Sequence, residues 1–155
     1  MASLQDILYN VNLDSVIGNT AIEIIDLQID SRNVKRGTCF IAVKGTITDG
    51  HEYIAKAITN GASVIVCETI PEKIDDKIRY VIVANSARAA AIMAHNFYGR
   101  VTEKISLVGV TGTNGKTTVA TLLFKLFSSL GYKCGLISTV QNQIDSEVLV
   151  STHTT

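Results

Sequence analysis

The hydrophobic pattern of this chain switches repeatedly between two periods. Short apolar runs of strand length occur at Cys39-Phe40-Ile41-Ala42-Val43, Ser63-Val64-Ile65-Val66-Cys67 and Tyr80-Val81-Ile82-Val83. A longer run, Ala21 to Ile29, carries Ile22, Ile24, Ile25, Leu27 and Ile29 and reads as one strand. Runs that are apolar at consecutive positions suit strands buried on both faces, the condition of a parallel sheet covered by helices. Segments at helical spacing stand between them. Asp49 and Glu52 form a capping box for a helix from Gly50 to Asn60, with Tyr53, Ile54, Ala57 and Ile58 inward and Gly61 as its stop. Asn85 or Ser86 caps an alanine-rich helix that turns Ala90, Met93, Ala94 and Phe97 inward and ends at Gly99. Ser3 caps a shorter helix through Asn10 that places Leu4, Ile7 and Leu8 on one face. Strand alternating with helix predicts a compact α/β unit with a mainly parallel sheet.

The polar link Val101-Thr102-Glu103-Lys104 divides the chain into expected domains 1–102 and 103–155. After the link, a strand starting at Ile105 runs through Leu107-Val108-Gly109-Val110 into a glycine-bearing turn. A helix follows from Lys116 to Leu130, with Val119, Leu122, Leu123, Leu126 and Phe127 inward and Gly131 as its stop. Cys134 to Val140 reads as a strand, and Gln143-Ile144 with Val148-Leu149-Val150 as a hairpin about Asp145-Ser146. A nucleotide-binding α/β domain needs on the order of 100 residues or more. The second domain is therefore expected to be cut short.

Charge narrows the partners. Lys plus Arg and Asp plus Glu both number 14, no basic block occurs, and aromatics make up only 6% of residues. The electrostatic footprint of a nucleic-acid binder is missing, so small molecules are the expected ligands. Cys39, Cys67 and Cys134 are widely spaced in apolar runs, which fits buried thiols in a reducing compartment better than a disulfide framework or a metal cluster. The N-terminus has no basic segment followed by an apolar one, and no apolar run reaches bilayer length. Neither export nor membrane insertion is expected, and the location expected is cytoplasmic.

The chemistry concentrates in Thr111-Gly112-Thr113-Asn114-Gly115-Lys116-Thr117-Thr118. Glycines let the backbone curl so that successive N–H groups point inward, and the following helix adds the positive end of its dipole, the combination that holds phosphate. Lys116 would reach the outer phosphates of ATP, and the Thr117 hydroxyl would ligate Mg2+. The pattern G-x-x-x-x-G-K-[ST] is not fully met, because Val110 occupies the place of its first glycine. The plain alternative is a tight strand-to-helix turn with a solvated lysine. No later apolar strand ends in a carboxylate for the other side of a magnesium site, and Asp145, after a polar stretch, is a poor candidate. A second place of interest is Asp30-Ser31-Arg32, polar residues at a strand end, where ligands of α/β sheets gather. Asp30 and Arg32 are equally able to pair with each other as structural groups. His51 could be a first-turn helix residue and no more, and His95, in the middle of a helix, a surface or satisfied core residue.

The loop Thr111 to Thr118 resembles the ATP loop of the Mur ligases, enzymes that add amino acids to the UDP-linked peptidoglycan precursor, and the variant first position is usual in that family. Asp30-Ser31-Arg32, Gly37, Phe40-Ile41-Ala42, Gly45, Asp49-Gly50-His51, Ala57 and Gly61-Ala62 resemble the uridine-nucleotide-binding first domain shared by the MurE and MurF branches. Asn114, the strand Gly135 to Val140 and His153-Thr154-Thr155 look more like MurE, which attaches the third residue of the stem peptide; Ser138 departs from the glycine usual there. The resemblance spans the chain but only the front part of such a ligase. It implies a UDP-sugar-binding α/β domain followed by the start of a P-loop ATPase domain. Gly112, Thr113, Asn114, Gly115, Lys116, Thr117 and Thr118 would hold ATP, with Thr117 on Mg2+ and Lys116 catalytic. Ile29 and Ser31 would contact the uridine of UDP-MurNAc-dipeptide, with Thr46, Ile47 and Thr48 lining it, and His153, Thr154 and Thr155 would touch the diphosphate and muramoyl part. The family reaction is ATP-dependent amide formation through an acyl phosphate. Its amine-binding pocket is not legible in this chain, and a MurF-type ligase or a non-catalytic nucleotide-binding module are the other readings.

Overall fold

The computed structural model describes residues 1–45 and 48–150, which form two compact units, Met1–Ile105 and Ser106–Thr155. The first unit opens with strand β1 (Ala2–Ser3) and a single helical turn, α1 (Leu4–Ile7). The Ser3 hydroxyl accepts from the Gln5 amide at 3.2 Å, and Leu4, Ile7 and Leu8 are buried. The turn stops short of the expected end at Asn10, because Asn10 takes a left-handed φ of 60° that a continuing helix cannot contain. Strand β2 (Leu13–Ile17), which the apolar pattern does not announce, follows; its first three residues are exposed.

The apolar run from Ala21 to Ile29 is two strands rather than one. Strand β3 (Glu23–Ile24) pairs antiparallel with β1, and β4 (Asp26–Gln28) joins the main sheet. Between them the Ile25 amide donates to the Gly37 carbonyl at 3.1 Å. Ile24 is fully buried while Ile25 is 55% exposed, the opposite sidedness that an extended backbone imposes on neighbours. Strand β5 (Thr38–Ile41) is buried throughout. A 3-10 turn, Gly50–Tyr53, leads into α2 (Ile54–Thr59), so the expected single helix begins as a tighter coil and leaves Tyr53 largely exposed. Strand β6 (Ala62–Cys67), strand β7 (Arg79–Val83) and helix α3 (Ser86–Phe97), capped by Asn85, complete the unit.

The main sheet has the order β2-β7-β6-β5-β4, parallel from β4 to β7, with β2 antiparallel at one edge. Alternate residues feed opposite faces. Cys39 and Ile41 pack with α1 and α3 residues such as Ile7 and Met93, whereas Phe40 and Ala42 pack with Ile54, Ala57 and Tyr80 on the other side. Cys39 and Cys67 are buried and Cys134 is half-buried; burial raises both buried thiols, Cys67 to about 11.

The second unit contains helix α4 (Lys116–Ser129) and strands β8 (Gly135–Ile137), β9 (Gln141–Ile144) and β10 (Glu147–Val150) in an antiparallel order β10-β9-β8. The hairpin turns through Asp145 at φ 49°, as expected. The stretch from Leu107 to Val110, expected as a strand, joins no ladder among the described residues, and Leu107 is 85% exposed. Along α4 the expected inward residues Val119, Leu122, Leu126 and Phe127 are exposed and only Phe124 is buried. A buried parallel strand needs neighbours on both edges, and an apolar helix stripe needs a sheet beneath it. Among the described residues of this unit the first has no such neighbours, and α4 meets the edge strand β8, which buries Phe124 and leaves most of the stripe exposed. No described helix is long and apolar enough to cross a membrane.

Candidate functional site

The carboxyl ends of β4, β5, β6 and β7 point the same way, so the loops that follow them share one end of the sheet. After β4, Ile29 is exposed, and Asp30 caps a 3-10 turn, Ser31–Asn33, by accepting from the Arg32 amide at 2.9 Å. The Arg32 guanidinium grips the same carboxylate, with Nη2 2.7 Å from Oδ2. These hydrogen bonds hold the Asp30 carboxyl down at about 2. The pair braces the turn. Ser31 is only 5% exposed, and its carbonyl accepts from Asn60 Nδ2 at 2.9 Å, which ties the turn to the end of α2.

After β5 the chain forms a narrow loop. The Gly45 amide donates to the Thr48 carbonyl at 3.1 Å, Lys44 and Asp49 bridge its base, and the Gly50 amide donates to Val43 O at 2.9 Å. Thr48 is exposed. Thr46, Ile47, His153, Thr154 and Thr155 lie outside the described residues.

A chain of hydrogen bonds joins this loop to the ends of β6 and β7. His51 Nδ1 lies 2.6 Å from Asp49 Oδ1, and the Glu68 amide donates to His51 Nε2 at 2.8 Å. The Ser86 amide and hydroxyl both donate to Glu68 Oε1 at 2.8 Å, and the Lys44 amide donates back to Ser86 Oγ at 3.0 Å. Hydrogen bonds from Ser86 lower the Glu68 carboxyl, and those from His51, backbone first, lower Asp49, so both stay ionised acceptors at neutral pH. An open cleft of about 340 Å³ beside this ring is lined by Lys44, Asp49, His51, Glu68 and Glu72 among others. The sequence pattern marks neither Lys44 nor Glu68 as functional, and Ser86 only as a helix cap. The available signal was a glutamate standing directly after an apolar strand.

In the second unit Gly112 takes φ 148° and Gly115 φ 77°, a region that side chains resist, and Gly115 caps α4. The Val119 amide is bonded to Gly115 O at 2.9 Å, and the amides of Lys116, Thr117 and Thr118 precede it at the open first turn. Residues Gly112 to Lys116 are exposed, Thr117 is half-buried and Thr118 exposed. Lys116 Nζ folds back to donate to the carbonyls of Gly112 at 2.5 Å and Thr113 at 3.2 Å. The unpaired N–H groups of the first turn of α4 and the Lys116 ammonium beside the loop are the groups to which an anion could bind.

Two family models match in chain order: "Mur ligase family, catalytic domain" over residues 23–98 and "Mur ligase middle domain" over residues 110–155. The chain is 48% identical to a UDP-N-acetylmuramoyl-L-alanyl-D-glutamate--2,6-diaminopimelate ligase of Phocaeicola vulgatus over 98% of its own length and 31% of that protein's. It therefore spans about a third of the length of the curated relatives it matches. A solved ligase of the same name superposes with a TM-score of 0.70 over 95% of this chain and 29% of that one, at 23% identity, a likeness of fold. The MurF ligase of Thermotoga maritima, solved in complex with ADP, superposes with a TM-score of 0.51 at 33% identity over 67% of this chain and 23% of its own. A glycine-cornered loop before α4, a parallel sheet with its loops gathered at one end and two matched models in their proper order agree: this chain belongs to the Mur ligase family.

Proposed function

We propose that the chain is the sugar-nucleotide-binding unit and the ATP loop of a cytoplasmic ligase that joins 2,6-diaminopimelate to UDP-MurNAc-L-Ala-D-Glu. The observation that carries this reading is the 48% identity, across almost the whole chain, to a protein named for that reaction. In this reading residues 1–102 bind the UDP-sugar peptide through Ile29, Ser31 and the loop from Thr46 to Thr48. Residues 103–155 hold ATP through Gly112 to Thr118, and His153, Thr154 and Thr155 meet the diphosphate and muramoyl part of the substrate. The ADP bound by the Thermotoga maritima relative supports the ATP assignment.

A carboxylate is a poor electrophile, and transfer of the γ-phosphoryl group gives it a leaving group that an amine can displace. The contribution of this chain is to place the phosphates and neutralise their charge. Lys116 exchanges its Gly112 and Thr113 carbonyls for phosphate oxygens, and the amides that open α4 point at the same anion. The Thr117 hydroxyl suits Mg2+, a hard cation that shares its shell with phosphate oxygens and water. Among the described residues no three His, Cys, Asp or Glu gather as a metal site. The MurF-type alternative shares the fold, and the solved Thermotoga maritima ligase is 33% identical over 67% of this chain; the 48% identity over 98% of the chain to the curated diaminopimelate ligase supports the first reading.

Thermal denaturation with each ligand tests the reading. At a hundred times its dissociation constant, UDP-MurNAc-L-Ala-D-Glu will stabilise the chain by about 2.7 kcal/mol. It will do so even where ATP with Mg2+ does not, because the first unit buries both faces of its sheet while the second leaves the apolar stripe of α4 exposed. No shift with either ligand overturns the reading.

A further inference from the structure

Beyond Gln28 the chain leaves the main sheet. Strand β4 is an edge strand and pairs with β5 only from Asp26 to Gln28, so the residues from Ile29 to Asn33 have no ladder to hold them. The turn Ser31–Asn33 is a single coil long: the Asn33 amide donates to Asp30 O at 3.1 Å, and Val34 is extended at ψ 134°. No further coil supplies a donor to the Ser31 carbonyl, and a carbonyl in so buried a residue is costly to leave without one. Asn60 Nδ2 supplies it at 2.9 Å, from 29 residues away in the chain. A carbonyl can only accept, so its partner fixes which way this side-chain amide faces.

Asn60 is itself firmly placed. It closes α2 at φ -78° and ψ -6°, and its own amide donates to Lys56 O at 3.0 Å. Val34 is buried in one cluster with Ile54 and Ala57, and the Gly37 amide donates to Gly61 O at 3.2 Å. The segment after the turn is thus fixed by packing and backbone, whereas Ser31 is fixed by a side chain. Asp30 and Arg32 brace the turn from within, since they lie only two residues apart. Among the described residues the Ser31 hydroxyl has no hydrogen-bond partner; the residue is held by its carbonyl.

We propose that Asn60 is a positioning residue for sugar-nucleotide binding: by holding the Ser31 carbonyl it sets where the Ser31 hydroxyl meets the ligand. This rests on the proposed role of Ser31. The effect of Asn60 runs through that hydroxyl, so it vanishes once the hydroxyl is removed. Two groups that act as one unit lose their binding energy once, not twice.

The test uses the 155-residue chain with Asn60→Asp, Asn60→Ala, Ser31→Ala and the double variant Asn60→Ala with Ser31→Ala. Aspartate keeps the shape of asparagine but has no N–H to donate, and alanine removes the amide without adding charge. In the free wild type, an NMR coupling across the hydrogen bond will link Asn60 Nδ2 to the Ser31 carbonyl carbon. The amides of Ser31 to Val34 will shift in both Asn60 variants, while those of β6 and α3 stay in place and show the fold intact. Affinity for UDP-MurNAc-L-Ala-D-Glu will fall about tenfold in each single variant, the scale set by one lost hydrogen bond. The double variant will also lose about tenfold, rather than the hundredfold or so of two independent contacts. Absence of the coupling, turn amides blind to the Asn60 substitutions, wild-type affinity in any single variant, or additive losses in the double variant overturns the proposal. Coupling and turn shifts as described, with no sugar-nucleotide binding by the wild type, overturn the proposed function and with it this role, while the link from Asn60 to Ser31 stands.

Discussion

Gly50→Ala will destabilise the chain by about 3 kcal/mol, the upper range for forcing an extra carbon into a packed site. A Cβ at Gly50 would lie 2.7 Å from Val43 N, 2.8 Å from Val43 O and 2.9 Å from Ala42 C. All three are backbone atoms at the end of β5, so none can swing aside as a side chain would. Relief requires the loop to lift from the strand, which breaks the Gly50 amide bond to Val43 O and carries Asp49 and His51 away from Glu68. Close backbone approach accounts for this glycine. Chemical denaturation reads the cost, and sugar-nucleotide affinity should fall with it. Stability within about 0.5 kcal/mol of wild type would show that the loop does not press on β5 as described.

The second large effect lies in the strand that precedes the same loop. Phe40 is fully buried on the face of the sheet covered by α2, among Ile54, Ala57, Ile65 and Tyr80. Phe40→Ala removes that ring and leaves a cavity that strand backbones can fill only in part, at a cost of about 4 kcal/mol. For a domain whose net stability is roughly 5–15 kcal/mol, this approaches unfolding. Phe40→Leu, which keeps most of the volume, should cost under about 1.5 kcal/mol. Equal and small losses for the two variants in urea denaturation would mean that the core under α2 is loosely packed. The consequence for function is indirect: α2 leads into Asn60, which holds Ser31, and follows the turn that carries His51.

What could be read in the sequence follows the range of the forces involved. Strands β5, β6 and β7 were legible because consecutive apolar residues bury on both faces, and α3 because Asn85 stands just before an alanine-rich repeat. The pairing of Asp30 with Arg32 was legible as an option because the two are near neighbours. Strand β2 was not, since an edge strand with Leu13, Asp14 and Ser15 exposed carries no buried period. Ile25 was misassigned to one long strand because hydrophobicity does not tell which of two adjacent isoleucines turns outward. The apolar stripe of α4 signals a covering sheet, and contact with β8 buries Phe124 while Leu122 and Leu126 remain exposed. The ring through His51, Glu68, Ser86 and Lys44 was invisible for another reason. Its bonds span gaps of 17, 18 and 42 residues, which only the packing of β5 to β7 brings together.

The most direct measurement is the amide NMR spectrum of the chain titrated separately with UDP-MurNAc-L-Ala-D-Glu and with ATP and Mg2+. Two disjoint nucleotide sites predict that the sugar nucleotide moves the amides of Ile29 to Arg32 and of Lys44, Gly45 and Thr48, while ATP moves those of Gly112 to Thr118. Sugar-nucleotide shifts confined to the second unit, or ATP shifts concentrated around Ser31, would contradict that division of labour.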